Sequence, residues 1–137
     1  MDITLQRAIT IYLVTVPIFF VIDLIWLGVV AKSFYQRHLG YLLRPQVNWP
    51  AAIVFYLVFI VGILIFAVLP ALQARSAMHA LGYGALFGFF TYATYNLTNL
   101  STVRGWPLMI TVVDLAWGTA FCGIVAWISY SVSTQIT

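Results

Sequence analysis

Two carboxylates lie inside apolar segments, where the transfer of a carboxylate from water costs free energy. The chain has three acidic residues, and two of them, Asp23 and Asp114, fall inside long apolar runs. An acid near the centre of a membrane costs about 2.5–3.5 kcal/mol on insertion scales, so such residues most often belong to a path for protons or substrate. We therefore predict a polar functional site that contains both acids. The alternative is that each acid only links helices through hydrogen bonds.

Further polar and aromatic side chains precede Asp114 in the sequence. The end of one apolar run carries two phenols and two amides, and the next loop carries a cation: Tyr92, Tyr95, Asn96, Asn99 and Arg104. Amides at this depth either bind a ligand or bridge helices. The cation either pairs with an acid or only sets the membrane topology. We assign all five to the candidate ligand- or proton-binding site.

Each acid is followed three residues later by a tryptophan. The segments Asp23-Leu24-Ile25-Trp26 and Asp114-Leu115-Ala116-Trp117 look like a repeat, but they belong to helices that run in opposite directions. This places each indole near the depth of the other helix's acid. An indole N–H is only a donor and a carboxylate is an acceptor. We therefore predict direct bonds from Trp26 to Asp114 and from Trp117 to Asp23.

The composition excludes a soluble domain. Hydrophobic residues make up 64% of the 137 residues, charged residues only 7%, and the mean hydropathy is +1.03. A soluble surface needs roughly a quarter of its residues charged. The net charge of +3 comes from six scattered Lys and Arg residues, which form no basic patch. We predict the lipid bilayer, and no nucleic acid, as the partner of this surface.

Four apolar segments must position the site. They cover roughly residues 8–31, 50–72, 77–100 and 107–131, and each is long enough to cross a membrane as a helix. Lipid cannot hydrogen-bond a bare backbone, so helices are required. The predicted fold is an all-α polytopic membrane protein, an antiparallel bundle of four transmembrane helices forming one domain over residues 1–137. The first segment lacks a cleavage-site pattern and is expected to be retained.

The connections contain local signals. After the first span, Tyr35, Leu39, Leu42 and Leu43 share one helical face, which predicts a short interfacial helix rather than a plain loop. Asn48-Trp49-Pro50 is typical of a helix start. Pro70 is expected to end that second helix.

Loop charges predict the orientation. The side with the first and third loops carries four cations, and the side with both termini and the second loop carries two: Lys32, Arg37, Arg44 and Arg104 against Arg7 and Arg75. The more basic side is expected to be cytoplasmic, so both termini are predicted to be periplasmic. On helical rise, Asp23 and Asp114 lie about 12 Å and about 10 Å from the cytoplasmic helix ends.

The sequence lacks the residue patterns that metal, haem, phosphate-loop and dithiol sites need. His38 and His79 fall on opposite membrane faces, so they cannot share a metal or a haem. The chain has no phosphate-binding glycine loop and no Cys-x-x-Cys, and Cys122 is its only cysteine. We predict no metal and no cofactor.

Five short motifs carry a resemblance to a known family. They are Asp23-Leu24-Ile25-Trp26-Leu27-Gly28, Phe34-Tyr35 with Leu39-Gly40, Tyr92-Ala93-Thr94-Tyr95-Asn96-Leu97-Thr98-Asn99, Arg104-Gly105-Trp106-Pro107 and Asp114-Leu115-Ala116-Trp117-Gly118. With these motifs, nearly the whole chain resembles an uncharacterised bacterial family of small four-helix membrane proteins, named only as a domain of unknown function. The resemblance implies a location in the bacterial inner membrane. It implies no catalytic residue.

The leading interpretation is a protein that binds or transports a small molecule, an ion or a proton. In it, Asp23 and Asp114 exchange a proton or bind a cation, and aromatic groups line the path. The first alternative is a membrane-embedded enzyme, or an accessory factor, whose carboxylates act as acid and base on lipid or another lipid-soluble substrate. The second is a structural or partner-docking protein. The residues do not decide whether the protein is an enzyme.

A homodimer is also predicted, because four helices enclose little space. Gly84 and Gly88 form a G-x-x-x-G motif, which allows two helices to approach closely. We expect this motif to form the dimer surface.

Overall fold

The chain folds almost entirely into helices. The computed structural model describes residues 2–136, and within them no β-strand occurs. Five helices follow one another: α1 Leu5–Val30, α2 Lys32–Leu39, α3 Trp49–Ala74, α4 Ala77–Thr102 and α5 Leu108–Ile136. The long helices extend a few residues beyond most of the predicted span ends. The predicted all-helical architecture is confirmed.

Three of the helices have the length and apolar character that a membrane crossing needs. These are α1, α3 and α5. Helix α4 is equally long at 26 residues, but its C-terminal half is rich in Thr, Tyr and Asn, and it is not among them. A fourth crossing by α4 therefore stays a prediction.

Hydrogen-bonding side chains cap three of the helix starts, at Thr4, Asn48 and Ser76. A backbone irregularity explains one wrong expectation. Asn48 caps α3 by accepting from the Ala51 N–H, as predicted. Helix α3 does not end at Pro70 but continues to Ala74. Residues Leu64–Val68 form a wide π-helical turn that ends two residues before this proline, and the turn accommodates its missing N–H. The left-handed Arg75 then ends the helix, and Ser76 caps α4.

Helix α2 folds back from the end of α1. A second π-helical turn, Trp26–Val30, closes α1, and the buried Ala31 joins it to α2. The predicted helix in this connection is therefore present. It ends at Leu39, so Leu42 and Leu43 lie beyond it.

The core lies where α1, α3, α4 and α5 meet. Its centre is aromatic, with the rings of Phe19 and Phe121 4.8 Å apart. Beside it, α4 and α5 form the most extensive helix pair. Gly84 and Gly88 of α4 are buried there against the Cys122 region of α5. Because this glycine motif is used within the chain, the expectation that it forms a dimer surface is wrong.

Candidate functional site

Both intramembrane acids line one cavity at the end of the bundle that α2 covers. The cavity has a volume of about 590 Å³ and collects side chains from all five helices. We call it the polar cavity. It is lined by Asp23, Trp26, Tyr35, Gln36, Tyr56, Tyr92, Tyr95, Trp106, Asp114 and Trp117, together with Lys32 and several apolar residues.

Asp114 accepts hydrogen bonds on both carboxylate oxygens. The Tyr35 hydroxyl donates to Oδ1 over 2.6 Å, and the Asn96 amide donates to Oδ2 over 2.7 Å. The Trp26 indole N–H donates to the Tyr35 oxygen over 3.3 Å. An indole can only donate, so the Tyr35 proton is directed towards Asp114. The site thus has the hydrogen-bond pattern of a carboxylate held by uncharged donors.

Asn96 is fixed in the orientation that donates. Its side chain is fully buried, and its amide nitrogen also donates to the backbone oxygen of Tyr92 over 3.0 Å. Both bonds require the nitrogen to face Asp114. The Asn96 carbonyl oxygen is buried and has no hydrogen-bond partner within the described chain. Such an unpaired acceptor is unusual in a protein interior and often occurs at functional sites.

Asp23 has a different environment. Its side chain is 7% exposed, and the phenol of Tyr56 on α3 lies within hydrogen-bonding reach of the carboxylate. The charge of Asp114 also acts on it. The two acids are therefore neighbours in one cavity, as the helix depths predict.

The two tryptophans pack against each other. The rings of Trp26 and Trp117 are parallel, with centroids 4.2 Å apart, and Trp117 also stacks on Phe121. The expected direct bond from Trp26 to Asp114 is wrong, because Tyr35 stands between them. The sequence repeat thus yields an aromatic stack at the helix crossing, and the indole reaches the acid through a phenol.

Two of the predicted site residues lie apart from this cavity. Arg104 is exposed in the loop between α4 and α5 and does not line the cavity wall. Asn99 lies within hydrogen-bonding reach of the Tyr95 phenol instead. The cation that does line the cavity is Lys32, at the start of α2.

Tyr35 and Tyr56 are site residues that the sequence analysis missed. In the sequence, Tyr35 stands out only as part of the apolar face of α2, and in the structure that face turns towards the bundle. Tyr56 sits in the most apolar span, without another polar residue nearby. Both residues could be identified from the sequence by one signal, a phenol on the buried face of its helix at the membrane depth of an acid.

Tyr35 should remain protonated in alkaline solution. Burial raises the pKa of its phenol, and the bond to Asp114 raises the pKa further because the phenol donates it. The bond therefore stabilises the fold fully below pH about 10 and is lost as the pH rises through the raised pKa. In a spectrophotometric titration, Tyr35→Phe should leave the ionisation amplitude near pH 10 unchanged in the folded protein. In denaturant the same substitution should remove one part in eight of the tyrosine signal. A lost folded-state amplitude near pH 10 would contradict the burial of this phenol.

The comparisons with known proteins give one family and no function. A family model described as "Predicted membrane protein (DUF2177)" matches residues 8–131. No curated protein and no solved structure matches the chain. Within residues 2–136, no three potential metal ligands gather in one place.

Proposed function

We propose that this chain, which belongs to the DUF2177 family of predicted membrane proteins, binds a small molecule, an ion or a proton in the polar cavity. One observation carries the proposal: Asp23 and Asp114, from the first and last helices, line the same cavity. Within the described residues, Asp114 is held there by the uncharged donors Tyr35 and Asn96. A carboxylate in a low-dielectric site is stabilised most by a positive charge or a strong donor, which a ligand would supply.

The membrane arrangement belongs to the same proposal. We infer a single unit over residues 1–137 in the bacterial inner membrane, with α4 as a fourth crossing and both termini periplasmic. Support comes from α4 itself, which spans about 39 Å at 1.5 Å per residue and packs along α5. The excess of cations in the first and third loops supports a position of the polar cavity near the cytoplasmic face. We also propose a homodimer, formed on a surface other than the α4–α5 contact.

The proposal is tested by neutralising each acid. Asp23→Asn and Asp114→Asn should weaken the response of the purified protein to methylammonium, sodium or acid by about tenfold or more, since charge-assisted bonds contribute about 1.5–3 kcal/mol. Tryptophan fluorescence is the readout, because Trp26 and Trp117 line the cavity. Uptake by reconstituted liposomes then separates transport from binding.

The third acid is the matched control. Asp2 is exposed before α1, so Asp2→Asn should behave as wild type. Unchanged responses in both cavity variants would refute the proposed site. Loss of the fold in both, without a ligand effect in the wild type, would instead support the structural alternative.

The alternative of an enzyme or accessory factor for a lipid-soluble substrate rests on one specific observation. Asp114 also lines a second, apolar space that opens to the side of the bundle. A substrate dissolved in the membrane would reach the carboxylate from there. Chemical change in a lipid extract incubated with wild type, absent with Asp114→Asn, would support this role.

A further inference from the structure

A long groove runs down the outside of the bundle between α3 and α4. Its volume is about 810 Å³, within the usual range for ligand sites. We call it the lateral groove. It is lined by Phe55, Phe59, Phe90, Thr91, Tyr92, Thr94, Tyr95 and Asp114.

The groove is apolar apart from one end. The hydroxyls of Thr91 and Thr94 donate to carbonyls of their own helix, at Phe87 and Phe90, so their protons are already used and only their oxygens can still accept a hydrogen bond. Among the described lining residues, Asp114 is the only charged side chain. It also lines the polar cavity, so one carboxylate is reached from both spaces.

Helix positions order the groove by depth. Asp114 and Phe55 each lie six residues inside the ends of their helices, which is about 9 Å of rise. Phe90 lies twelve residues from the end of α4, about 18 Å deep. The polar end is therefore nearer the membrane surface and the apolar end nearer its centre. An amphiphile in a membrane is arranged in the same way, with its polar head near the surface and its apolar chain near the centre.

The walls face the lipid. Phe55, Phe90 and Tyr95 are all more than half exposed on the outside of the bundle. In a membrane these side chains contact hydrocarbon, so a chain can slide between them from the bilayer without crossing water.

The charge of the site selects the head group. In the part of the chain that the structure describes, Asp114 is bonded to uncharged donors, and Asp23 adds a second carboxylate in the same cavity. Lys32 lines the polar cavity at its exposed edge and does not line the groove. An anionic head would meet like charges at this depth, whereas an ammonium would be paired.

We propose that the lateral groove binds the hydrocarbon chain of a single-chain amphiphile whose ammonium head is bound by Asp114. This inference rests on the proposed function, because Asp114 belongs to the same site. It adds the class of ligand and the route by which the ligand arrives.

The test compares three probes by native mass spectrometry of the detergent-solubilised protein. Dodecylamine carries both a hydrocarbon chain and an ammonium charge, dodecan-1-ol carries only the hydrocarbon chain, and methylammonium carries only the charge. The wild type should retain one dodecylamine per chain and bind the alcohol about tenfold more weakly or worse. Asp114→Asn should lose this preference for the amine.

Variants of the lateral groove test the part of the proposal that concerns the hydrocarbon chain of the ligand. Thr94→Trp fills the groove at an exposed position, so it should abolish dodecylamine binding and leave the methylammonium response intact. Leu86→Trp, also at an exposed position of α4 but outside the groove, should bind as wild type. Phe55→Ala gives a second, milder change and should weaken dodecylamine binding.

The outcomes distinguish the two proposals. Dodecylamine binding that survives Thr94→Trp and Phe55→Ala, or that matches alcohol binding in the wild type, overturns the groove proposal. If methylammonium still depends on Asp23 and Asp114 in that case, the proposed function stands alone. If no probe depends on either acid, both proposals fall.

Discussion

Gly88→Ala should prevent the chain from accumulating as folded protein. A methyl group at this position would overlap the backbone oxygen of Gly118 and lie 2.8 Å from the Cβ of Cys122. Neither atom can move without separating α4 from α5, which form the main helix contact. Overpacking usually costs about 1–3 kcal/mol, and the upper end or beyond applies where the obstacle is backbone. Size-exclusion yield of a fluorescent fusion and unfolding in detergent measure the effect.

Gly82 provides the control on the same helix. A Cβ there meets no atom within 4 Å. Gly82→Ala should therefore be neutral or stabilise the helix by up to about 1 kcal/mol, because alanine is the better helix former. Equal yields of the two variants would mean that α4 and α5 are not in close contact.

Asn96→Leu should destabilise the protein by about 2–4 kcal/mol and disable the candidate site. Leucine fills a similar volume but donates no hydrogen bond, so Oδ2 of Asp114 loses its buried partner. A carboxylate left unpaired in the interior costs more than the bond itself contributes. Thermal unfolding in detergent gives the stability, and the fluorescence response to methylammonium reports on the site.

A double-mutant cycle isolates this interaction. In an Asp114→Asn background the carboxylate charge is gone, so Asn96→Leu should cost less by about 1–3 kcal/mol. Asn99→Leu is the matched control, since Asn99 lies one turn further along α4 and is within hydrogen-bonding reach of the Tyr95 phenol, whereas Asn96 is the amide that donates to Asp114. Additive effects in the cycle would show that Asn96 does not hold Asp114.

The sequence predicts the four long helices well because each of them coincides with its own apolar run. Helix ends are predicted less well, since they depend on neighbouring turns. Pro70 is the clearest case: the proline rule is local, but the π-helical turn before it is stabilised by packing. The G-x-x-x-G motif likewise predicts a close contact without identifying the partner helix, which proves to be α5 of the same chain.

The candidate site is partly predictable because the depth of a residue depends only on its position along its own helix. The shared depth of Asp23 and Asp114 follows from counting residues along two helices. The rotation of each helix about its axis does not, and this rotation decides which donor reaches which acid. Tyr35 takes the place expected for Trp26 because α2 folds over the cavity. The two Asp-x-x-Trp segments contain no residue that predicts this position of α2.

The location of the chain's one cysteine has a practical consequence. Cys122 is fully buried in the contact between α4 and α5, beside Gly88. A thiol reagent can reach it only when the two helices part, so the labelling rate of the unmodified protein measures how often that happens. Cysteines introduced at exposed sites would react first, which allows distance probes to be attached without removing the native thiol.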